Sequence, residues 1–249
     1  MLNKVAEITA LFWIMKIIAT TLGETLGDFI AHTLGLGYSV GILITLAFFI
    51  VVLSIQLFTK AYKPLYFWLV IIATTTLGTE ISDFMDRSLG MGYTYGSIIL
   101  LVGLLGTLSL WRSAYKNLRV HPIIERKKEL YFWTAVLFSN SLGTAFGDYL
   151  GDVAGLSYLQ GAMVTGAIIG IVIALHYLTK LNEVLLFWIA FIFTRPFGAT
   201  FGDFLTKPLD KGGLDLGTLQ ASIVSVILIS ILLYISHRQH NRKNIHPAL

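Results

Sequence analysis

Four aspartates recur in this sequence at one fixed distance from a tryptophan. Asp28, Asp83, Asp148 and Asp203 each lie fifteen residues after Trp13, Trp68, Trp133 and Trp188. Positions 3, 7, 11, 15 and 19 after each Trp lie roughly on one helical face. The first copy holds Lys16, Thr20, Glu24, Asp28 and His32; the second holds Thr75, Thr79, Asp83 and Arg87, with Glu80 beside the stripe. The third holds Asn140, Thr144, Asp148 and Asp152, and the fourth Arg195, Asp203 and Lys207. Carboxylates with hydroxyl and amide oxygens form a donor set suited to protons, Mg²⁺ or Mn²⁺. The candidate cation pathway is therefore Glu24, Asp28, Glu80, Asp83, Asn140, Asp148, Asp152 and Asp203, and His32 is a further neighbour. Candidate metal ligands among them are Glu24, Asp28, Asp83, Asp148 and Asp203. Lys16 and Arg195 read as internal counter-charges, either static ion-pair partners or groups that swap partners during transport. The chain has no Cys and five Met, which excludes thiolate metal sites, disulfides and Cys nucleophiles and disfavours Cu(I).

The segments that must position these residues are apolar. The 249-residue chain is 55% hydrophobic and 13% charged, about half the charged share of a soluble domain. Its mean hydropathy is +0.75. Four stretches align without gaps: WIMKIIATTLGETLGD, WLVIIATTTLGTEISD, WTAVLFSNSLGTAFGD and WIAFIFTRPFGATFGD. A Phe precedes each Trp and a Gly follows ten residues later. Each stretch passes a Gly-rich turn into a second apolar span, at about 39–58, 94–111, 159–178 and 216–235. Those spans approach the ~20 residues that cross a bilayer. The reading is an all-α integral membrane protein of about eight transmembrane helices in four parallel two-helix repeats, in a pseudo-fourfold or two-halves arrangement. The whole chain, 1–249, forms one transmembrane domain. Residues 1–115 make a first half, 116–129 a basic linker, 130–236 a second half and 237–249 a basic tail. Because the repeats are parallel, equivalent residues lie at one depth.

A charged residue at mid-bilayer costs ~2.5–3.5 kcal/mol even on insertion scales, so the four stripes must face each other or a wet interior. Small-x-x-x-small pairs, Gly23/Gly27, Gly78/Ser82, Gly143/Gly147 and Gly198/Gly202, let helices approach closely. Pro196 is expected to kink the fourth repeat's first helix. Most of the 18 Lys and Arg flank the termini and inter-repeat loops, whereas Arg87, Lys207 and Lys211 lie in intra-repeat turns. That asymmetry predicts cytoplasmic termini, with Trp13, Trp68, Trp133 and Trp188 as aromatic anchors at the cytoplasmic interface and each Asp ~22 Å further along its helix.

Through its Phe-Trp and Gly-x-x-x-Gly-Asp segments, almost the whole chain resembles a bacterial inner-membrane family of four tandem two-helix repeats with a characteristic Trp, a repeat of unknown function. The resemblance implies the membrane location and architecture but little chemistry. Two functional readings stand. One is a secondary transporter or channel for a small cation, a divalent metal such as Mn²⁺ or Mg²⁺ or a proton-coupled organic cation. The other is a structural or sensory membrane protein in which each Asp caps a helix or pairs with Lys16, Arg87, Arg195 or Lys207 to fix the bundle. No nucleophile–base pair marks an enzyme, and the Gly that intramembrane aspartyl proteases need before their Gly-Asp pair is missing in every copy. No cofactor is expected: His32 and His176 lie at opposite ends and cannot share a haem, and no phosphate-binding loop is present. The basic residues fit membrane topology, so the expected partners are lipid and a small cation, not nucleic acid.

Overall fold

The structure is a computed structural model in which residues 3–245 are described, with side chains through Arg238. His240, Arg242, Lys243 and His246 of the basic tail lie outside the described side chains. Each repeat supplies an inner and an outer helix. The inner four are α1 (Ala10–Asp28), α3 (Pro64–Asp83), α5 (Arg126–Asp148) and α7 (Glu183–Thr206). The outer four are α2 (Gly37–Phe58), α4 (Gly92–Tyr115), α6 (Tyr158–Leu178) and α8 (Thr218–Ile245). The inner helices close into a ring, α1 against α3, α3 against α5, α5 against α7 and α7 back against α1. Each outer helix packs on the inner helix of the following repeat: α2 on α3, α4 on α5, α6 on α7, and α8 on α1. This is the pseudo-fourfold form of the predicted architecture.

Composition sorts the two layers. Outer helix α2 has a mean hydropathy of 2.7 and inner helix α1 only 1.2, because the outer layer meets lipid and the inner layer meets its own copies. Seven helices among the described residues are long and apolar enough to cross a membrane unaided. The inner helix α5 falls short because Ser139, Asn140, Ser141 and Thr144 dilute it. All four are buried, so the ring shields what lipid would reject.

The helix starts follow local chemistry. Asn182 accepts from the Val184 and Leu185 amides, Ser157 and Gln160 form a capping box, and Pro64 opens α3. Beyond Asp28, Asp83 and Asp148 the backbone widens into one π-helical turn, Phe29–Thr33, Phe84–Ser88 and Tyr149–Val153. The fourth repeat ends differently, at an extended Lys207 before Pro208. Pro196, where a kink is expected, lies inside α7, which is helical from Glu183 to Thr206.

Register around the ring is set by glycine. A Cβ built at Gly23 would collide with Thr75, one at Gly78 would press on Asn140 and Ser141, one at Gly143 would collide with Arg195, and one at Gly198 with Thr20. Position ten of each repeat thus meets position seven of the next, all the way round. The second small residues repeat the pattern: Gly27 faces Thr79, Gly147 faces Ala199, and Gly202 faces Glu24. Bare Cα atoms let the backbones approach closely enough for side chain to backbone bonding. Thr75 donates to the Ala19 carbonyl at 3.1 Å and Thr20 to the Thr194 carbonyl at 3.2 Å.

Candidate functional site

The axis of the ring is polar over half its length, in three levels about 6 Å apart, the rise of four helical residues. The level nearest the intra-repeat turns holds all four aspartates, 4–7% exposed. Two basic side chains bridge them in pairs. Lys207 Nζ lies 2.6 Å from Asp28 and 3.2 Å from Asp203, joining repeats four and one. Arg87 lies 3.1 Å from Asp148 and 3.5 Å from Asp83, joining repeats two and three. Both cations are four residues beyond an Asp of their own helix and reach across to the neighbouring repeat. Burial lowers the Lys207 pKa, but Asp203 and Asp28 more than reverse this, and the net shift is upward. The ammonium stays charged and remains reachable, since the Lys207 side chain is 26% exposed and that of Arg87 39%.

One turn further in, the fully buried Arg195 occupies the axis. Its Nη2 contacts the Glu24 carboxylate at 2.9 Å, the Thr144 hydroxyl at 2.6 Å and the Thr79 hydroxyl. A second turn inward, Lys16 Nζ donates to Asn140 Oδ1 at 3.0 Å and lies 4.3 Å from the Phe191 ring centre, while Asn140 donates to Thr74 at 3.1 Å. Five acids (Glu24 and the four Asp) therefore face four basic groups (Lys16, Arg87, Arg195, Lys207), one acid in excess by formal count. Glu24, Asp28 and Asp203 each offer an oxygen within 4.8 Å of the others, a set that could hold a hard cation if Lys207 and Arg195 let go.

Aromatic rings close the axis on the other side. Phe12, Phe67, Phe132 and Phe187 converge, with Phe67 and Phe132 stacked at 6.4 Å. Phe12 packs on Trp68 at 5.6 Å, Phe67 on Trp133 at 5.4 Å and Phe187 on Trp13 at 5.7 Å, another relation that steps from one repeat to the next. This corrects the anchor role expected for the tryptophans. Trp68, Trp133 and Trp188 are 1%, 1% and 4% exposed. Their helices turn them into the seams of the ring rather than out to the interface, and Trp188 donates to the Leu118 carbonyl. Trp13 alone of the four is half-buried.

Beyond the aromatic layer, the amino-terminal segment folds over the same end of the bundle. Lys4, 2% exposed, pairs with Glu129 and donates to the Leu57 carbonyl. Gln56 bonds both Glu129 at 2.8 Å and the Lys4 carbonyl at 3.0 Å. Val5, Val120 and Ile123 bury alongside, so part of the linker expected at 116–129 is core.

The expected pathway residues divide. Glu24, Asp28, Asp83, Asn140, Asp148 and Asp203 share the axis with Lys16 and Arg195. Asp152 does not: it is exposed and accepts from the Tyr93 hydroxyl, because the π-turn carries it past the ring. Glu80 also leaves the axis, its carboxylate lying against Gly41 under α2. His32 stands at the mouth, half-exposed and 3.6 Å from Asp28. Sequence reasoning missed the pair of Lys4 with Glu129, which lie 125 residues apart with no shared pattern. It also missed buried Asp86, which faces Gly96 and accepts from Ser82 at 3.4 Å; its spacing four residues after Ser82 was the available signal.

A family model described as a Repeat of Unknown Function (DUF347) matches the chain four times, over residues 11–62, 66–117, 131–182 and 186–241. The breaks between matches fall between an outer helix and the next inner one, where the structure also divides the repeats. No curated protein and no solved structure matches the chain.

Proposed function

The chain belongs to the DUF347 repeat family, and from the chemistry of its interior we propose that it is a secondary transporter of a small cation, with the aspartate level as the cation's first binding site. The observation that carries the reading is the bridging of four buried aspartates by two tethered cations. Lys207 and Arg87 sit where a free cation would gain most, and both reach solvent at the turn end. A divalent ion or organic cation arriving there competes with them for the same oxygens. When Lys207 swings out, Asp28, Asp203 and Glu24 offer a hard-cation set. The carboxyl oxygens along the axis are acceptors that suit a cation and not an anion.

Phe12, Phe67, Phe132 and Phe187 are all buried and packed together at the axis, which supports alternating access over a channel. In this reading the basic flanks put both termini in the cytoplasm of a bacterial inner membrane, and the aspartate level opens outwards. The protein performs no bond-making chemistry. A second reading has one observation in its favour: every axial aspartate already has a basic partner, as a purely structural or sensory bundle requires.

Flux decides between the two. The protein is reconstituted in liposomes, and Mn²⁺, Mg²⁺ and proton movement are followed for the wild type, Asp83→Asn and Asp148→Asn, with gel filtration and thermal unfolding as controls on folding. Cation flux in the wild type that is lost in well-folded variants is the expected result. No flux of any of these ions in the wild type overturns the transport reading.

A further inference from the structure

Among the described acids buried in the membrane span, Glu80 and Asp86 make no ion pair; Asp86 accepts from Ser82 at 3.4 Å, whereas Glu80 has not even that. Glu80 is 1% exposed, and neither carboxylate oxygen has a hydrogen-bond partner among the described residues. The side chain leaves α3 away from the axis and rests against the bare Cα of Gly41 in the outer helix α2. No charged residue occurs on α2, whose one titratable side chain, Tyr38, is bonded to His32 at 3.0 Å. The other neighbouring elements bring no free positive charge either. On α1, Glu24 and Asp28 repel Glu80 electrostatically, and Lys16 is held by Asn140. On α5, Asp148 is taken by Arg87 and Glu129 by Lys4, while Arg126, Lys127 and Lys128 lie at the far end of that helix. On α3 and its π-turn, Asp83, Asp86 and Arg87 lie beyond Glu80, and Arg87 is engaged with Asp83 and Asp148. The charged residues of α8, as far as its side chains are described, begin at its distal end.

The other repeats show what this position accommodates. Twelve residues after each Trp stand Thr25, Glu80, Ala145 and Thr200. Thr25 accepts from Ser222 at 2.9 Å, Thr200 donates to the Pro196 carbonyl at 2.9 Å, and Ala145 has nothing to satisfy. Each is neutral. A carboxylate in the same layer, one helix from lipid and without a counter-ion, is far costlier than the carboxylic acid.

We propose that Glu80 is a proton-binding site, carrying its proton in this conformation and releasing it when a cation binds the axial carboxylates. This deepens the transport reading and its coupling half rests on it. The link is electrostatic: a cation held by Glu24 and Asp28 cancels the repulsion those groups exert on a charged Glu80, so cation uptake favours proton release, and reciprocally. The balance is an exchange in which Glu80–COOH gives up H⁺ to solvent as the cation arrives, and no redox partner or leaving group is needed.

Two measurements test this. Infrared spectra of the purified protein at neutral pH should contain a protonated-carboxyl stretch that is lost in Glu80→Gln and kept in Asp86→Asn. A spectrum unchanged by Glu80→Gln overturns the proton site, whether or not the protein transports anything. In liposomes, Glu80→Gln should retain cation exchange without a proton gradient and lose at least tenfold of the acceleration that a gradient gives the wild type. Equal acceleration in both overturns the coupling. Absence of wild-type flux overturns the coupling together with the transport reading, and leaves the proton site to be decided by the spectrum.

Discussion

At the residue scale, the interior depends on reciprocal charge. Arg195 is fully buried, its Nε has no partner among the described residues, and its Nη2 holds Glu24. Removing one partner of such a pair leaves a bare charge in low dielectric, at a cost of about 3–5 kcal/mol, whereas replacing both with apolar groups of like volume is often neutral. Arg195→Met is therefore expected to lower unfolding stability in detergent by about that amount, and Glu24→Met combined with Arg195→Met to recover most of it. A double variant no more stable than Arg195→Met would show that the two residues do not act as a pair. The stripe of acids was legible in the sequence because a polar residue every fourth position in an apolar segment has one physical outlet, the inside of a bundle. Which cation serves which acid was not, since Lys207 and Asp28 are 179 residues apart and meet only when the ring closes.

At the scale of the element, glycine sets how near two inner helices come. The Cβ built at Gly23 collides with Thr75 backbone as well as side chain, whereas one at Gly106 on the lipid-facing side of α4 meets nothing within 4 Å. Gly23→Ala should destabilise by about 1–3 kcal/mol, the usual cost of overpacking. Gly106→Ala should be neutral or slightly stabilising, because alanine is the better helix former. Thermal unfolding of the two variants side by side checks this, and equal effects would contradict the register described for the ring. Helix existence, the repeat boundaries and these small residues could all be read from sequence. Two features could not. The π-turns after Asp28, Asp83 and Asp148 depend on how the chain leaves the ring, and they displace Asp152 from it. The rotation of each helix at its aromatic end is the other: a Trp near a helix terminus fits an interface anchor by type, but here Trp68, Trp133 and Trp188 turn into the seams and are buried.

At the scale of the whole molecule, four copies of one sequence pattern produce cyclic packing with unlike contents. Gly to position seven and outer helix to the next inner helix repeat around the ring, Phe to Trp repeats at three of its four seams, and α8 returns to α1. At the aspartate level the charges obey only a twofold version of that symmetry, with a basic bridge between repeats four and one and another between two and three, and Arg195, Glu24 and Lys16 break even that. Parallel repeats made the common depth of the aspartates predictable. The clasp of each outer helix on its successor was not, because adjacency in sequence suggests packing within a repeat. In the proposed function Lys207 is a tethered competitor for a cation site built from separate repeats. Equilibrium binding of Mn²⁺ to the purified protein, followed through the signal of the free ion, tests it most directly. Lys207→Ala should bind Mn²⁺ at least about tenfold more tightly than the wild type, ~1.4 kcal/mol, and adding Asp28→Asn with Asp203→Asn should abolish that binding. An affinity untouched by Lys207→Ala, or binding that survives loss of both aspartates, would contradict the account.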